Sequence, residues 1–292
     1  MRQAIASLAE LTALAENIGI EEAARSFEPQ EETREQTDER MLKLLPVMRQ
    51  SVQDGMDPGL KSMSGLTGGQ APKLRDAAKA GGTAGGSLLG RATSRALAVA
   101  ESNAAMGRIV AAPTAGACGI MPGVLLTLAE EYDLDDRALL PGLYMAAAVG
   151  AIIAKRASIS GAQGGCQAEC GAASAMTAAA AVVLRGGNCR QAADAAGFAI
   201  MSVMGLVCDP VGGLVEVPCV YRNVAGAAQA LAAADLALAG IPCPLPPDEL
   251  IDQMKAVGDM MPSALRETGL GGCAACPSAW AMLGADSACG KA

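Results

Sequence analysis

An alanine-rich apolar run that follows a glycine-cysteine loop most constrains how this chain can fold. The run extends from Ala172 to Leu184 and comes directly after SISGAQGGCQAECG. Alanine has the highest helix propensity and a small side chain, so the run predicts a helix that its neighbours approach closely. Glycines beside Cys166 let the backbone turn sharply at the mouth of this segment. We therefore expect a buried core helix here.

Composition extends this expectation to the whole chain. Apolar residues make up 51% of the 292 residues, aromatic residues only 2%, and there are 35 glycines. Small residues with few rings and few β-branched runs favour closely packed helices over sheets. We predict a mainly α, alanine- and glycine-rich fold whose site is built from loops at helix ends. The texture changes near Pro58, which predicts an N-terminal helical segment, 1–57, and a second domain, 58–292.

Charge and apolar pattern exclude several classes of protein. A formal charge of −8 without a basic stripe argues against nucleic-acid binding. The apolar runs Leu139–Ala154 and Ala172–Leu184 fall short of the roughly 20 residues of a membrane helix, so no membrane is expected. Glutamates interrupt the N-terminal apolar pattern, unlike in a signal peptide, and this favours a cytoplasmic protein.

The chain contains no histidine. This removes the commonest general base and nitrogen ligand, and it excludes Ser-His-Asp and Cys-His catalysis within the chain. The ten cysteines are expected to stay thiols in a reducing compartment. Most of them are expected to be small buried packing residues.

Two glycine-rich loops could hold an anion. In SMSGLTGG, Ser64, Thr67 and Gly68 let hydroxyls and amides converge, and Thr114 lies in a second loop that precedes a helix start. A substrate carboxylate could be held there, and an ordinary flexible loop is the alternative. The glycine spacing does not fit a dinucleotide fingerprint or a phosphate loop.

Three cysteines could form a metal centre. Cys166, Cys208 and Cys219 each lie beside glycine or proline at the mouth of an apolar segment, 42 and 11 residues apart. Such spacing needs tertiary structure to bring the ligands together, unlike a zinc ribbon or a ferredoxin run. The later pair Cys273 and Cys276 lacks the strand-to-helix context of a redox Cys-x-x-Cys.

At this point four blocks and a closing motif resemble the iron-sulfur-dependent L-serine dehydratases, and in particular their separate α chain. The resemblance extends from about residue 60 to 272, and the cysteine block is its most specific part. The matching blocks are SMSGLTGG at 62–69, MGRIVAAPTAGACGIMPGVL at 106–125, SISGAQGGCQAECG at 158–171, GLVCDPVGGLVEVPCVYRNVAGA at 205–227, and RETGLGG.

The resemblance implies that Cys166, Cys208 and Cys219 bind a 4Fe-4S cluster. Three thiolates would leave one iron open to act as a Lewis acid on the hydroxyl of L-serine. Loss of the α-proton then gives aminoacrylate, which hydrolyses to pyruvate and ammonia. The resemblance thus implies a lyase that does not use PLP and works in amino-acid degradation and gluconeogenesis.

This reaction needs further groups from the chain. Ser64, Thr67, Gly68 and Thr114 are the candidates to bind the substrate carboxylate. Arg222 and Asn223 follow Cys219 and could orient substrate and cluster.

The reaction also needs a base for the α-proton. Lys61, Lys73, Lys155 and Glu169 are the candidate bases within the chain, each after a large pKa shift. The resemblance also implies a β chain with a Ser-His-Thr element that could supply the missing group. We therefore expect a hetero-oligomer.

Three alternatives remain open from the sequence. An iron-sulfur L-cysteine desulfidase would use the same open iron on a thiol. A closed electron-transfer cluster would take Cys170 or Cys289 as a fourth ligand, and Cys289 could also reach the open iron as an inhibitory ligand. A metal-free helical scaffold would use all its thiols for packing.

Overall fold

The computed structural model describes residues 5–29 and 31–284 and confirms the mainly α fold. Within these residues the only β pairing is an isolated bridge between Cys208 and Arg266. The first seven helices are α1 Leu8–Ile18, α2 Ile20–Arg25, α3 Arg34–Leu42, α4 Leu44–Gly55, α5 Ala71–Lys79, α6 Gly86–Ala104 and α7 Ile120–Glu131. The others are α8 Leu140–Arg156, α9 Gly161–Gly164, α10 Ala172–Leu184, α11 Cys189–Ser202, α12 Cys219–Leu238, α13 Pro247–Met260 and α14 Pro277–Met282.

Helix α10 is the central helix, as its alanine-rich sequence predicts. Its residues 172–182 are all buried, and it packs against α7, α8, α11 and α12. Where α12 crosses it, a Cβ at Gly226 would lie 3.0 Å from the Ser174 hydroxyl oxygen and 2.4 Å from Ile120 Cδ1. Small side chains thus allow the close packing that replaces large aromatic contacts in this core.

One helical stretch, Gln167–Leu184, is long and apolar enough to cross a membrane by length and composition. However, 83% of this stretch is buried inside the protein. A helix that is apolar all round and surrounded by other helices is the expected centre of a large helical core. We therefore interpret it as a core helix.

The crossings of α6 with α4 and α7 depend on glycine. A Cβ at Gly55 would lie 1.8 Å from the carbonyl oxygen of Ala98, and one at Gly123 would lie 2.6 Å from that of Ala92. Gly119, just before α7, would meet the Ala96 carbonyl at 2.1 Å. No side chain fits at these distances, so the glycines set how closely the helices approach.

The N-terminal helices share the core of the later helices. Leu8, Leu11, Leu45 and Met48 belong to the same buried apolar cluster as α10. The backbone amides of Leu8 and Ala9 also donate to the Asp248 carboxylate, at 2.8 and 3.0 Å. The predicted domain boundary after residue 57 stays a prediction, but this packing ties the first segment closely to the second.

Helix boundaries differ from the predicted ones mainly near the cysteines. The helix predicted from Val224 to Leu238 begins earlier, at Cys219, which places this thiol in the first turn of α12. A π-helical turn, Gln167–Gly171, precedes α10 and continues its axis back to Cys166. Two predicted loop cysteines thus lie on helix ends.

The C-terminal segment packs near the loop between Cys208 and Cys219. Helix α14 carries the exposed Trp280 and contacts the 3-10 turn Val211–Gly213. A Cβ at Gly212 would lie 2.9 Å from Leu283 Cδ2, just after that helix. Cys289 lies outside the described residues, so its role as a fourth ligand stays a prediction.

Candidate metal centre

The three predicted ligand cysteines are buried in the same region of the molecule. Cys166 and Cys208 share an apolar cluster with Cys170 and with residues 117, 120 and 173. Cys219 is also buried, and the charges of Cys166 and Cys219 affect the pKa of Cys208. The chain therefore brings together thiols that are far apart in sequence, as a metal centre requires.

Gln167 ties the first cysteine loop to the segment that leads to the second. Its backbone amide donates to the carbonyl of Leu206 at 2.9 Å, and its side-chain oxygen accepts from the amide of Gly205 at 2.8 Å. Its side-chain nitrogen donates to the carbonyl of Met254 on α13. This fully buried amide fixes Cys166 relative to the approach to Cys208.

The backbone of Cys208 is held by the RETGLGG block. Its amide donates to the carbonyl of Leu265 at 2.9 Å, and its carbonyl accepts from the amide of Glu267 at 2.7 Å. These two bonds make up the isolated bridge with Arg266. The closing motif thus positions a candidate ligand.

Cys219 is held through Asn223, one helical turn later. The Asn223 side-chain nitrogen donates to the carbonyls of Gly116 and Cys219, at 2.8 and 2.9 Å, and its oxygen accepts from the amide of Gly119 at 2.8 Å. The buried amide group therefore joins α12 to the loop before α7. Direct substrate binding by Asn223 stays a prediction, since these internal contacts already engage its side chain.

Arg222 pairs with Asp209, the residue after Cys208. Its Nη1 lies 2.8 Å from Asp209 Oδ1 and also donates to the carbonyl of Val207 at 2.8 Å. The other Asp209 oxygen accepts from the amide of Cys273 at 2.6 Å. The guanidinium also lies close enough to Cys166 to lower the pKa of that thiol. Arg222 thus links the three loops around the cysteines.

The thiols differ in acidity. Contact with the Cys170 thiol, whose sulfur lies 3.3 Å from that of Cys166, lowers the pKa of Cys166, and Arg222 adds to this effect. Burial raises the pKa of Cys219 to about 12 and also raises that of Cys208. Metal ions bind thiolates, so binding at Cys208 and Cys219 would displace their protons.

Glu169 is the candidate base that lies among the cysteines. A Cβ at Gly161 would lie 2.7 Å from Glu169 Oε2 and 3.0 Å from Cys208 Sγ, so the carboxylate and the thiol border the same glycine. Burial raises the pKa of Glu169, while the nearby Thr114 hydroxyl lowers it. The buried hydroxyl oxygen of Thr114 has no hydrogen bond within the described chain.

The candidate lysines lie elsewhere. Lys61, Lys73 and Lys155 are exposed, on the loop after α4, on α5 and at the end of α8. Among the described residues no ion pair or hydrogen bond of these lysines reaches the cysteines. The geometry therefore favours Glu169 among the four predicted bases.

The serine-glycine loop donates to a carboxylate of the chain itself. The hydroxyls of Ser64 and Thr67 both donate to Glu216 Oε2, at 2.8 and 3.1 Å. Gly68, the other predicted anion binder here, has its amide directed at the buried carboxylate of Glu101. Binding of a substrate carboxylate by this loop stays a prediction, and any such ligand would approach two internal carboxylates.

A polar cavity of about 380 Å³ lies beside the first cysteine loop. It is bordered by Ser158 and Gln163 on one side and by Lys255 and Arg266 on the other. Ala168, two residues after Cys166, forms part of its wall. The cavity brings solvent close to the back of the cysteine region.

The residues present fit an iron-sulfur cluster. Thiols are the ligands that such clusters take, and here three are buried around the side-chain-free Gly161. Within residues 5–29 and 31–284 no three acidic or cysteine side chains are close enough to hold a single metal ion. A cube of four irons and four sulfurs holds its cysteines farther apart than a single ion does, so this spacing suits a cluster better than an ion.

Two residues of the site were not identified as functional from sequence. Cys170 was interpreted as packing, although a cysteine four residues after Cys166 on a helix faces the same way. Glu216 stands in the quoted block VEVPC, but nothing in the sequence indicates its contact with a loop 149 to 152 residues earlier.

The fold and the buried thiols together define a helical protein with a cysteine-based metal centre between its loops. The chain belongs to the family of serine dehydratase alpha chains, whose sequence model matches residues 8–274. This match confirms the resemblance noted from the sequence blocks.

Curated relatives agree with this family. A probable L-serine dehydratase alpha chain of Bacillus subtilis is 49% identical over 255 residues, which is 87% of this chain and 85% of that one. An L-serine dehydratase alpha chain of Peptoniphilus asaccharolyticus is 43% identical over 87% of this chain and 86% of its own. An L-serine dehydratase of Escherichia coli is 43% identical over 61% of this chain but only 40% of its own length.

Proposed function

We propose that this chain is the α subunit of an L-serine ammonia-lyase that converts L-serine to pyruvate and ammonia. The observation that carries the proposal is the convergence of Cys166, Cys208 and Cys219 in a buried site. Relatives named L-serine dehydratase, alpha chain, support the same substrate. Removal of water from a β-hydroxy amino acid needs help for a poor leaving group, and a metal centre can supply it.

The same three cysteines would hold a 4Fe-4S cluster as its protein ligands. When bound through three thiolates, such a cluster supplies an iron with an open position, which acts as a Lewis acid on the substrate hydroxyl. Arg222 contributes positive charge beside Cys166, which favours the thiolate form of this ligand. The buried surroundings keep water away from the site.

Glu169 is the base that we assign to the substrate α-proton. It borders Gly161 together with the Cys208 sulfur, so it lies next to the proposed ligands. Its raised pKa suits a group that must accept a proton from a weak carbon acid. The Thr114 hydroxyl beside it is available to orient the carboxylate or the substrate.

A β chain completes the enzyme in this proposal. The chain has no histidine, and L-serine dehydratases such as the Escherichia coli protein extend well beyond the part that matches here. The name "alpha chain" of the similar proteins also points to a second subunit. We propose a cytoplasmic hetero-oligomer that degrades serine.

An anaerobic titration of the protein with L-serine, with and without the co-expressed β chain, tests the proposal. We expect a brown protein in which one iron of four changes its Mössbauer signal when L-serine is added, and pyruvate formation that requires the β chain. A matched titration with L-cysteine separates a dehydratase from a desulfidase. Iron-free protein, or full turnover by the α chain alone, would contradict the respective part of the proposal.

A further inference from the structure

Glu216 is a buried carboxylate with an unused acceptor oxygen. The residue is 4% exposed, and both of its side-chain hydrogen bonds, from Ser64 and Thr67, end on Oε2. Within the described chain Oε1 accepts no hydrogen bond. One oxygen therefore fixes the carboxylate to the serine-glycine loop, and the other remains available to a ligand.

No cation balances this carboxylate. Among residues 5–29 and 31–284, no lysine or arginine forms an ion pair with Glu216. A buried carboxylate is costly unless it is paired, and two neutral hydroxyls offset that cost only in part. A ligand with a positive charge would therefore bind here more favourably than one with a negative charge.

The position of Glu216 places this acceptor on the cysteine loop. The residue lies between Cys208 and Cys219, and its backbone carbonyl accepts from the amide of Val220 in the first turn of α12. Its neighbour Val215 approaches Gly116 from the side where Glu169 also lies: a Cβ on this glycine would be 3.5 Å from Val215 Cγ1 and 3.3 Å from Glu169 Oε1. The carboxylate thus borders the region of the proposed chemistry.

We propose that Glu216 accepts the α-ammonium group of an amino-acid substrate. This inference rests on the proposed function and deepens it, because it names the residue that distinguishes an amino acid from the matching hydroxy acid. The hydroxyls of Ser64 and Thr67 hold the carboxylate in place rather than binding the substrate carboxylate. The serine-glycine loop is thereby a support for cation binding.

The variant Glu216→Gln tests the charge while it preserves the shape. A glutamine oxygen still accepts from Ser64 and Thr67, so the loop stays attached, but the negative charge is lost. The test uses the loaded enzyme with its partner chain and compares L-serine with L-glycerate, in which a hydroxyl replaces the ammonium group. Titration calorimetry gives both affinities, and the KM for L-serine is measured beside them.

We expect the affinity for L-serine to fall by about tenfold or more, as for the loss of a charge-assisted hydrogen bond, and that for L-glycerate to change far less. The KM should rise more than kcat falls. The control Ser64→Ala/Thr67→Val removes the support but keeps the charge, so it should still prefer L-serine over L-glycerate. The melting temperatures of all variants show whether they fold.

Two outcomes would overturn the inference. Equal losses for L-serine and L-glycerate in Glu216→Gln would assign the residue a purely structural role. Tighter serine binding in that variant would make Glu216 an internal competitor of the substrate carboxylate. Both results leave serine turnover by the native enzyme intact, whereas a native enzyme that neither binds nor converts L-serine would refute the proposed function itself.

Discussion

The guanidinium of Arg222 lies 2.8 Å from the carboxylate of Asp209, and both side chains are largely buried. Asp209 follows one proposed ligand, Cys208, and Arg222 comes three residues after another, Cys219. The pair therefore closes the loop that separates these two cysteines. The amide of Cys273 donates to the same carboxylate, which adds the C-terminal segment to this junction.

We expect Asp209→Asn to lower the free energy of unfolding by roughly 1–3 kcal/mol, because it leaves the buried Arg222 without a counter-charge. Urea unfolding of the purified protein measures this. The exposed pair of Lys255 and Asp259 is the matched control, and Asp259→Asn should change stability by no more than about 0.5 kcal/mol. Equal effects of the two substitutions would show that burial of the Arg222 pair does not matter.

Replacement of any proposed ligand by serine should remove most of the bound iron. A serine hydroxyl is a much weaker ligand for cluster iron than a thiolate, so Cys166→Ser, Cys208→Ser and Cys219→Ser are all expected to lose the brown colour. Iron and sulfide analysis of anaerobically purified protein measures the loss. Cys189→Ser, on α11 and outside the apolar cluster of Cys166 and Cys208, is the control and should retain its iron.

The neighbouring Cys170 separates an open cluster from a closed one. Its sulfur touches that of Cys166, yet our proposal assigns it no bond to iron. Cys170→Ala should therefore keep four irons per chain and the serine-dependent change in the Mössbauer signal. Loss of the cluster in this variant would support the electron-transfer alternative, in which Cys170 is the fourth ligand.

The crossing of α4 and α6 should be sensitive to a single methyl group. Gly55→Ala places its Cβ against the Ala98 carbonyl, so the helices must separate, and we expect a loss of about 1–3 kcal/mol in unfolding free energy. Gly82→Ala is the control, since its Cβ would meet only the Ala77 carbonyl at 3.4 Å. Thermal unfolding followed by circular dichroism compares the two, and a neutral Gly55→Ala would contradict the close crossing.

The buried Glu101 should make stability depend on pH. Burial raises its pKa in the folded protein, even though the amides of Gln70 and Ala71 donate to it. A raised pKa in the folded state means that its contribution to stability is complete below the ordinary value and is lost as the pH rises through the folded value.

Relative to Glu101→Gln, the wild-type protein should therefore lose unfolding free energy as the pH rises from about 4 upward. The loss of one acceptor oxygen in the variant adds a constant offset, so the change of the difference with pH is the quantity to measure. Urea unfolding between pH 4 and 8 gives it, at roughly 1.4 kcal/mol per unit of pKa shift. A difference that does not vary with pH would show that burial leaves this pKa unchanged.

Much of the fold could be predicted because it depends on local sequence. The alanine run at Ala172–Leu184 has no polar face, and a helix without a polar face must be buried on every side. The start of α12 was placed five residues late, because Pro218 and Cys219 read as loop while the helix already begins there. Boundaries near the site depend on tertiary contacts such as those of Asn223, which local sequence does not contain.

The site was predictable in its cysteines and less so in its polar groups. Cys166, Cys208 and Cys219 follow from the motifs, but the roles of Ser64 and Thr67 depend on which partner the fold brings to them. That partner is the carboxylate of Glu216, 152 residues from Ser64, and a hydroxyl donates equally well to an internal or an external carboxylate. Only the three-dimensional structure separates the two cases.

The near absence of aromatic residues from the core determines what fluorescence can report. The single tryptophan, Trp280, lies on α14, which contacts the turn Val211–Gly213 between two proposed ligands. Its emission spectrum is therefore a local probe of how the C-terminal segment docks beside the metal site. The alanine-rich centre is optically silent at these wavelengths, so a shift in tryptophan emission without a change in far-ultraviolet ellipticity marks undocking of that segment rather than unfolding.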